Sequence, residues 1–565
     1  MNKPEARWYR EWELWLTIAA VAVLFFCRLD AITIRGEESR RARVAVEMID
    51  SGNWIVPTQQ GELYFSRPPL QNWAIGLAGL VRGDVDALAI RLPSALATLL
   101  TTIVVYGYAR SWLSRLGSLT AAMAFASMVE VLKLGRLGET EAVFTATLGG
   151  ALIVWHWGYS KGWRPVWTWS LAYLLAAWAT LAKGPQAPVY FGGSILVFLA
   201  LTRDWRYLFS WSHFAGLGVF LVAWGAWHVP YQLAVGWDNV VAMYTTTTGQ
   251  RFIDRRLSRL VEHLLVFPVE VAGCLLPWSF LFLAYLRRDF RQAIGAARSH
   301  VVFLTGCFAV AFPTCWFVAM AKTRYLMPLS PCLACLAGLV AERCWHAGPE
   351  ARWRVIWPWF VAIHALVAAG TAVTIVVTSL VGPLSFPLGQ PLWFALPLAT
   401  VMLATAAVLF WARTASDVRR RLAGVLGIVA LIGGTYVTVG LNVQIRLSEF
   451  SAPRAVAAIK RSLPPGTQLV SVGRVDHLFA YYYRDLIPVA DRSAATVENG
   501  PPNEYFCYDR RTVSPELIRF PHQIVATVNC ERNFNDKVKR LMVIARRLPA
   551  TAAHPGRLAD VPQRR

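Results

Sequence analysis

Charge is what this chain has least of. Asp, Glu, Lys and Arg make up 16% of its 565 residues, against 56% hydrophobic residues. Acids are scarcer than bases, 34 against 56, leaving a formal net charge of +22. There is no Gly-rich phosphate loop, so no nucleotide is implied. The first apolar run, Leu14 to Cys27, has no small-residue cleavage site and reads as a retained signal-anchor. The CxxC spacing of Cys332 and Cys335 has no matching Cys or His pair, so these are buried structural thiols rather than a zinc or redox module.

What the chain does have is apolar runs of about 20 residues, recurring over the first 442 positions. They read as a polytopic α-helical membrane protein. About thirteen spans fit, near 11–27, 87–108, 116–134, 141–158, 166–182, 187–202, 212–230, 265–286, 301–320, 325–342, 355–379, 391–412 and 421–442. Alternate loops are basic, beginning with Arg110 and Arg115 and ending with Arg413, Arg419, Arg420 and Arg421. That bias sets the N-terminus in the cytoplasm and an odd count puts the C-terminal part outside. It also accounts for the excess positive charge without nucleic acid, as loops facing anionic lipid. The stretch Leu70 to Val81 is apolar but too short to cross, and is expected to lie at the membrane edge.

The expected domains are therefore a membrane domain over 1–442, an extracytoplasmic α/β domain over 443–550 and a disordered tail over 551–565. Short alternating elements carry the second assignment: helices at Ala455 to Leu463 and His477 to Tyr483, strands at Gln468 to Val472, Ile487 to Ala490 and Ile524 to Asn529. Cys507 and Cys530 lie in this polar part, where an oxidising compartment would permit a disulfide.

The polar exception inside the membrane domain is 35–73, part of a first outer loop over 28–86. Acids, arginines, aromatics and prolines concentrate there, as in an active-site loop. Glu38 to Ile49 reads as a helix stopped by Gly52. Glu37 and Glu38 are candidate catalytic acids, with helix capping as the alternative. Glu139 and Glu141, at the start of the fourth span, would add an anionic site, with Glu141 a third catalytic candidate. A second outer loop, 231–264, carries Arg251, Arg255, Arg256, Arg259 and His263, with Arg255, Arg259 and His263 at i, i+4, i+8 on one helical face. Outward arginines run against the inside bias and suit phosphate oxygens, with non-specific lipid binding as the alternative. Arg40, Arg67, Lys183, Lys322 and Arg324 would complete a cationic, donor-phosphate-binding pocket, and Tyr64, Trp73 and His263 would contact the substrate sugar.

These residues match a known pattern over nearly the whole chain. Glu37-Glu38, Gly52-Asn53-Trp54-Ile55-Val56-Pro57, Tyr64-Phe65-Ser66-Arg67-Pro68-Pro69-Leu70-Gln71-Asn72-Trp73, Arg91-Leu92-Pro93-Ser94, Lys183-Gly184-Pro185 and the segment Lys322 to Pro328 occur in order. The chain resembles the polyprenyl-phosphate-sugar-dependent membrane glycosyltransferases, the C-type group holding aminoarabinose transferases of lipid A and protein O-mannosyltransferases. The resemblance implies inverting transfer of a sugar at the outer face of the cytoplasmic membrane, to lipid A, another glycan or a protein. It puts the family's catalytic Asp on Glu37 and its phosphate-binding Lys on Arg67. The aminoarabinose transferases bind zinc through a Glu that is Ser66 here and a loop His that His263 matches. One ligand is thus missing; a divalent metal is possible and no other cofactor is expected. The alternatives are a lipid-linked sugar flippase, which should show a midplane site and repeated halves, and a surface-glycan polymerase or ligase.

Overall fold

The computed structural model describes residues 8–249, 257–381, 390–448, 452–490, 501, 503–530 and 541–549. The chain divides into two compact units, Met1–Ile32 with Tyr64–Gln444 and Thr33–Leu63 with Ile445–Arg565.

In chain order the first helices are α1 (Trp12–Phe26), α2 (Glu37–Ser51), α3 (Leu70–Arg82), α4 (Ala87–Arg110), α5 (Arg115–Ser127), α6 (Val129–Leu134), α7 (Thr140–Phe144), α8 (Gly150–Lys161), α9 (Pro165–Lys183) and α10 (Gln186–Thr202). All but α2 belong to the first unit. Their starts follow local chemistry. The Asp86 carboxylate accepts from the Ala89 amide at 2.8 Å and opens α4. The Ser114 hydroxyl does the same for α5 through Gly117, and Pro165 opens α9. Pro and a side-chain acceptor suit this position because the first helical N–H groups have no internal partner.

Seven helices among the described residues are long and apolar enough to cross a membrane: Ala87–Arg110, Trp211–Val235, Gly295–Trp316, Thr323–Trp345, Arg352–Val381, Leu392–Ala412 and Val418–Ile445. Their outward faces are apolar too. Leu392–Ala412, for example, exposes Trp393, Leu396, Val401, Leu403 and Phe410. Such faces are stable in hydrocarbon and not in water, so the protein is a polytopic membrane protein. All thirteen expected segments are helical, but two are broken. The segment 116–134 breaks at Met128, between α5 and α6. The segment 265–286 becomes Leu257–Cys274 and Trp278–Leu286, bent by 117°. Pro277, which lacks the N–H a continuing helix needs, stands in that break. The short helix α3 exposes Leu77, Leu80 and Val81 and is not among the crossing helices.

The second unit departs from the expected boundary at 442. It recruits Thr33–Leu63, which the sequence assigns to the membrane domain. The reason is a set of specific bonds from α2 and its flanks to the helix His477–Tyr483 and the residues just after it. The Ile34 amide donates to the Tyr482 hydroxyl at 3.1 Å, Ser39 Oγ lies 3.0 Å from His477 Nδ1, and the Ile487 amide donates to Gln60 Oε1 at 2.8 Å. Gly52 ends α2 as expected, its amide bonded to the Ile49 carbonyl. Beyond it, β1 (Thr58–Gln59) and β2 (Glu62–Leu63) form a small hairpin.

The remainder is a five-stranded mixed sheet of β3 (Val470–Val472), β4 (Val489–Ala490), β5 (Tyr505–Asp509), β6 (His522–Asn529) and β7 (Leu541–Arg547), in the order β4-β3-β5-β7-β6. β3 runs parallel to β4 and β5, whereas β5, β7 and β6 are antiparallel. The helix Ala452–Ser462 and the expected helix His477–Tyr483 pack against it. β5 and β7 have no counterpart in the sequence reading. Their residues are buried on both faces, so they show no alternation to read. The tail over 551–565 lies outside the described residues.

The sheet order also rules out a Cys507–Cys530 bridge, which the sequence left open. Cys507 pairs with Ile544 of β7, and Cys530 follows Asn529, which pairs with Leu541 on the opposite edge of β7. The cysteines are two strand spacings apart across the sheet, about 9.6 Å, and are further offset along it, since Ile544 and Leu541 are three residues apart; both exceed the roughly 7 Å Cα limit for a disulfide. Burial instead raises the Cys507 thiol from its ordinary 9.0 to about 12. A thiol raised in the folded state stabilises below its unfolded value and loses that contribution as pH climbs from 9.0 to about 12. Cys507 should therefore resist maleimide at pH 7.5 until the protein is denatured, as read by peptide mass mapping; rapid labelling of the native protein would contradict the packing.

Candidate active site

In the first unit the acids and cations singled out in the sequence converge on one buried cluster. Glu141 is in the first turn of α7 and Lys183 is the last residue of α9. Each end carries the charge that its helix dipole favours. Lys183 Nζ lies 3.2 Å from Glu141 Oε1, and their residues are only 3% and 4% exposed. Arg324 adds Nη1 at 2.8 Å from Glu139 Oε2 and Nε at 3.5 Å from Glu141 Oε1. The Lys183 ammonium also sits 5.0 Å from the Phe144 ring centre and 4.9 Å from that of Tyr325, a favourable cation–π geometry on both sides. The cations whose fields act on Glu141 are Lys183, Arg324 and Arg67.

Local backbone features bring these groups together. Lys183-Gly184-Pro185 is a sharp exit from α9: Gly184 has φ 86° and ψ −150°, a region essentially restricted to glycine. After Glu141 the helix widens into a π turn over Thr145–Gly149, a bulge frequent at functional sites. There the chain packs tightly against the 3-10 segment Thr323–Leu329 that carries Arg324. A Cβ on Gly149 would stand 2.7 Å from the Pro328 carbonyl oxygen. The Arg324 segment is thus docked on the helix whose acid it pairs.

Several expected roles change. The sequence gives Lys183 to a donor phosphate and Glu141 to catalysis; the structure buries each against the other, because an ion taken out of water must be paired. Arg324, also given to phosphate, is engaged by two carboxylates. Lys322 is exposed, while Arg67 and Trp73 are half-buried and Tyr64 is buried. On Leu257–Cys274, Arg259 is exposed and His263 Nε2 donates to the Cys315 carbonyl at 3.1 Å. Arg251, Arg255 and Arg256 lie outside the described residues.

In the second unit, Glu37 and Glu38 open α2. Glu38 is fully buried and accepts from the Arg35 amide, one residue before the N-cap Gly36, at 3.1 Å. The Glu37 side chain remains 31% exposed and pairs with Arg40 at 3.1 Å and Arg41 at 3.8 Å. Arg40, expected at the donor phosphate, is therefore the partner of the candidate base. The sequence reading does not single out Glu47. This buried acid pairs with Arg43 at 2.8 Å and accepts from Thr58 Oγ1 and the Gln60 and Gly61 amides. It folds the loop back on α2; its i, i+4 spacing from Arg43 was the available signal.

The residues present do not fit the zinc site of the resemblance. Ser66 replaces one ligand, the Nε2 of His263 is turned to a carbonyl, and no group of three or more His, Cys, Asp or Glu among the described residues could hold a metal ion.

Comparison with known proteins agrees with this architecture. Residues 66–227 match the family described as dolichyl-phosphate-mannose-protein mannosyltransferase. An undecaprenyl phosphate-alpha-4-amino-4-deoxy-L-arabinose arabinosyl transferase of Edwardsiella ictaluri is 25% identical over 335 residues, 58% of each chain. One from an Enterobacter species is 23% identical over 415 residues, 70% of this chain and 71% of the relative. The match thus covers under two thirds of the first of these relatives. The crystal structure of apo ArnT from Cupriavidus metallidurans superposes with a TM-score of 0.64 at 20% identity, covering 94% of this chain and 97% of that one.

If the buried cluster is held by its internal pairing, Glu141→Gln or Lys183→Met alone should destabilise the protein by about 3–5 kcal/mol, and the double variant by much less. Thermal unfolding in nanodiscs checks this, and additive losses would refute the coupling. In sequence over 66–227 and in fold over nearly its whole length, the chain is similar to the polyprenyl-phosphate-sugar-dependent membrane glycosyltransferases.

Proposed function

We propose that this protein is an integral-membrane glycosyltransferase that moves a hexose or pentose from a polyprenyl-phosphate donor to lipid A, another envelope glycan or a protein. The observation that carries the reading is the Glu139–Arg324–Glu141–Lys183 cluster, with Arg67 in its field, in a bundle with the ArnT fold. The arabinosyl transferases named above supply the donor class, and the mannosyltransferase family supplies the same lipid-phosphate chemistry on another acceptor.

In this reading an acceptor oxygen attacks the anomeric carbon as the bond from that carbon to the phosphate oxygen breaks, with inversion. The lipid phosphate leaves with the electron pair. Arg67 stabilises its charge by paired N–H bonds, a geometry a lysine cannot offer. Glu37 takes the proton of a hydroxyl acceptor, or orients a phosphate acceptor that is already ionised. Arg40 and Arg41 pair with Glu37 and hold its carboxyl in place. Lys322 and the outer-loop cations Arg251, Arg255 and Arg259 attract the donor, while Tyr64, Trp73 and His263 serve the sugar. No step runs through a metal.

The topology that suits this chemistry has thirteen spans in the cytoplasmic membrane, the N-terminus inside and the α/β part outside. Mass spectrometry of lipid A, glycans and envelope proteins from a deletion strain identifies sugar and acceptor together; unchanged products in all three would overturn the reading. In vesicles supplied with the lipid-linked sugar so identified, Glu37→Gln should fold and lose transfer by 100-fold or more, on the order of a general-base contribution. Arg67→Ala should raise the apparent donor KM about tenfold or more. Wild-type turnover of the first variant, or an unchanged KM in the second, would remove the assigned role.

A further inference from the structure

Gln71, the second residue of α3, is 1% exposed, yet neither its Nε2 nor its Oε1 has a hydrogen-bond partner. Among the described residues it is the only side chain with two such buried atoms. Buried polar groups are nearly always paired, so an exception asks for a cause. Local structure supplies none. Gln71 does not open the helix, since α3 follows Pro69, whose carbonyl accepts from the Trp73 amide at 2.8 Å. Further along the same buried face stand Ile75, Gly76 and Gly79, which offer no side-chain partner. A leucine here would pack without leaving an amide unpaired.

Its position joins Gln71 to the buried cluster of acids and cations in the same unit. α3 packs against α4 and α9, and α9 ends at Lys183. Gln71 follows Arg67 by four residues, at most about 14 Å of chain, and the charge of Arg67 acts on both Glu141 and Lys183. Pro68 and Pro69, both buried, fill part of that gap with fixed φ, so the guanidinium and the amide keep one relation. A second neutral amide lies at the cluster. Gln186, three residues beyond Lys183, donates from Nε2 to the Tyr190 hydroxyl at 2.9 Å and to the Tyr325 carbonyl at 3.2 Å, while its Oε1 is buried and unpartnered. The ring of that same Tyr325 stands 4.9 Å from the Lys183 ammonium.

A side-chain amide presents donors and an acceptor without charge. A phosphate oxygen would satisfy Nε2 but leave Oε1 facing an anion, and an ammonium would satisfy Oε1 but leave Nε2 unpaired. A hydroxyl both donates and accepts, and two adjacent hydroxyls of a sugar ring meet both ends of one amide. We infer that Gln71 is a specificity-determining residue that hydrogen-bonds the hydroxyl-bearing edge of the donor's sugar, beside the phosphate held by Arg67. The inference rests on the transferase reading and narrows it: the sugar carries free hydroxyl, not an ammonium, where it meets Gln71. A site built around a buried polar group rejects an analogue that leaves this group unpaired far more strongly than an apolar pocket rejects one methylene. Holding the amide unpaired costs stability when no donor is bound, an exchange common at preformed sites.

The test uses the full-length protein in nanodiscs with Gln71→Met, and with Gln71→Leu in case the first variant does not fold. The probes are undecaprenyl phosphate and the lipid-linked sugar that accumulates in a strain lacking the protein. The unfolding temperature without either lipid should equal or exceed that of the wild type, because an unpaired amide is replaced by apolar atoms of similar shape. Native mass spectrometry should show the sugar-bearing lipid bound about tenfold or more weakly, with bare undecaprenyl phosphate within about twofold, and kcat/KM for the donor should fall about 100-fold or more. A lower unfolding temperature in both variants marks a structural amide and overturns the inference. Unchanged donor affinity overturns it too, as does an equal loss for both lipids, which puts Gln71 at the phosphate or the tail. If the strain accumulates no such lipid, or the wild type does not transfer its sugar, the transferase reading itself falls; a wild type that transfers with the variants unchanged removes only the role of Gln71.

Discussion

A lysine and a glutamate, each close to wholly buried, face one another at 3.2 Å across two helix ends, and much of the first unit is arranged to permit this. Either charge alone would be intolerable out of water; together, with Arg324 and Glu139 completing the set, they are held by mutual attraction strengthened by low polarisability around them. The pair demands that the C-terminus of α9 meet the N-terminus of α7. The positive-φ turn at Gly184, the π turn after Glu141 and the contact of Gly149 with the Pro328 carbonyl all serve that meeting. Each motif segment, Lys183-Gly184-Pro185 and Lys322 to Pro328, is then a piece of one electrostatic joint.

The second unit solves a different problem. The loop after the first span is rich in arginine and acid, and such a segment orders only when its charges are matched. Glu47 collects four donors, Glu37 two guanidinium groups, and the backbone of Arg484 receives Arg43. The α/β part supplies the remaining partners through Tyr482, His477 and Ile487. A polar loop that looks like an appendage of the membrane domain is stabilised as part of the polar unit, where hydrogen-bonding groups are available.

The helices were legible because about 20 apolar residues in a row have few alternatives, and the charge alternation of the loops gave their expected order. The site was partly legible. Glu37, Glu139, Glu141, Lys183 and Arg324 stand out as charges in an apolar chain, but sequence does not say which are exposed. Glu38 and Lys183 look as reactive as Glu37 and Arg67 until burial separates them. Arg91 stands in a motif and Arg136 does not, but neither shows in sequence that it donates to backbone carbonyls, of Leu29 and Ile32 for the first and of Leu24 and Cys27 for the second, since such an arginine needs no complementary residue type.

The sequence by itself determined the class of molecule, the positions of its helices, the stop at Gly52 and the set of charged residues available for chemistry, because hydropathy, helix capping and charge are local properties. Only the tertiary structure decided which charges neutralise one another, that Thr33–Leu63 joins the C-terminal unit, that β7 separates Cys507 from Cys530, and that the chain bends at Pro277. Those outcomes depend on which groups meet across long stretches of chain, and burial makes a pairing strong only once the fold has brought its members together.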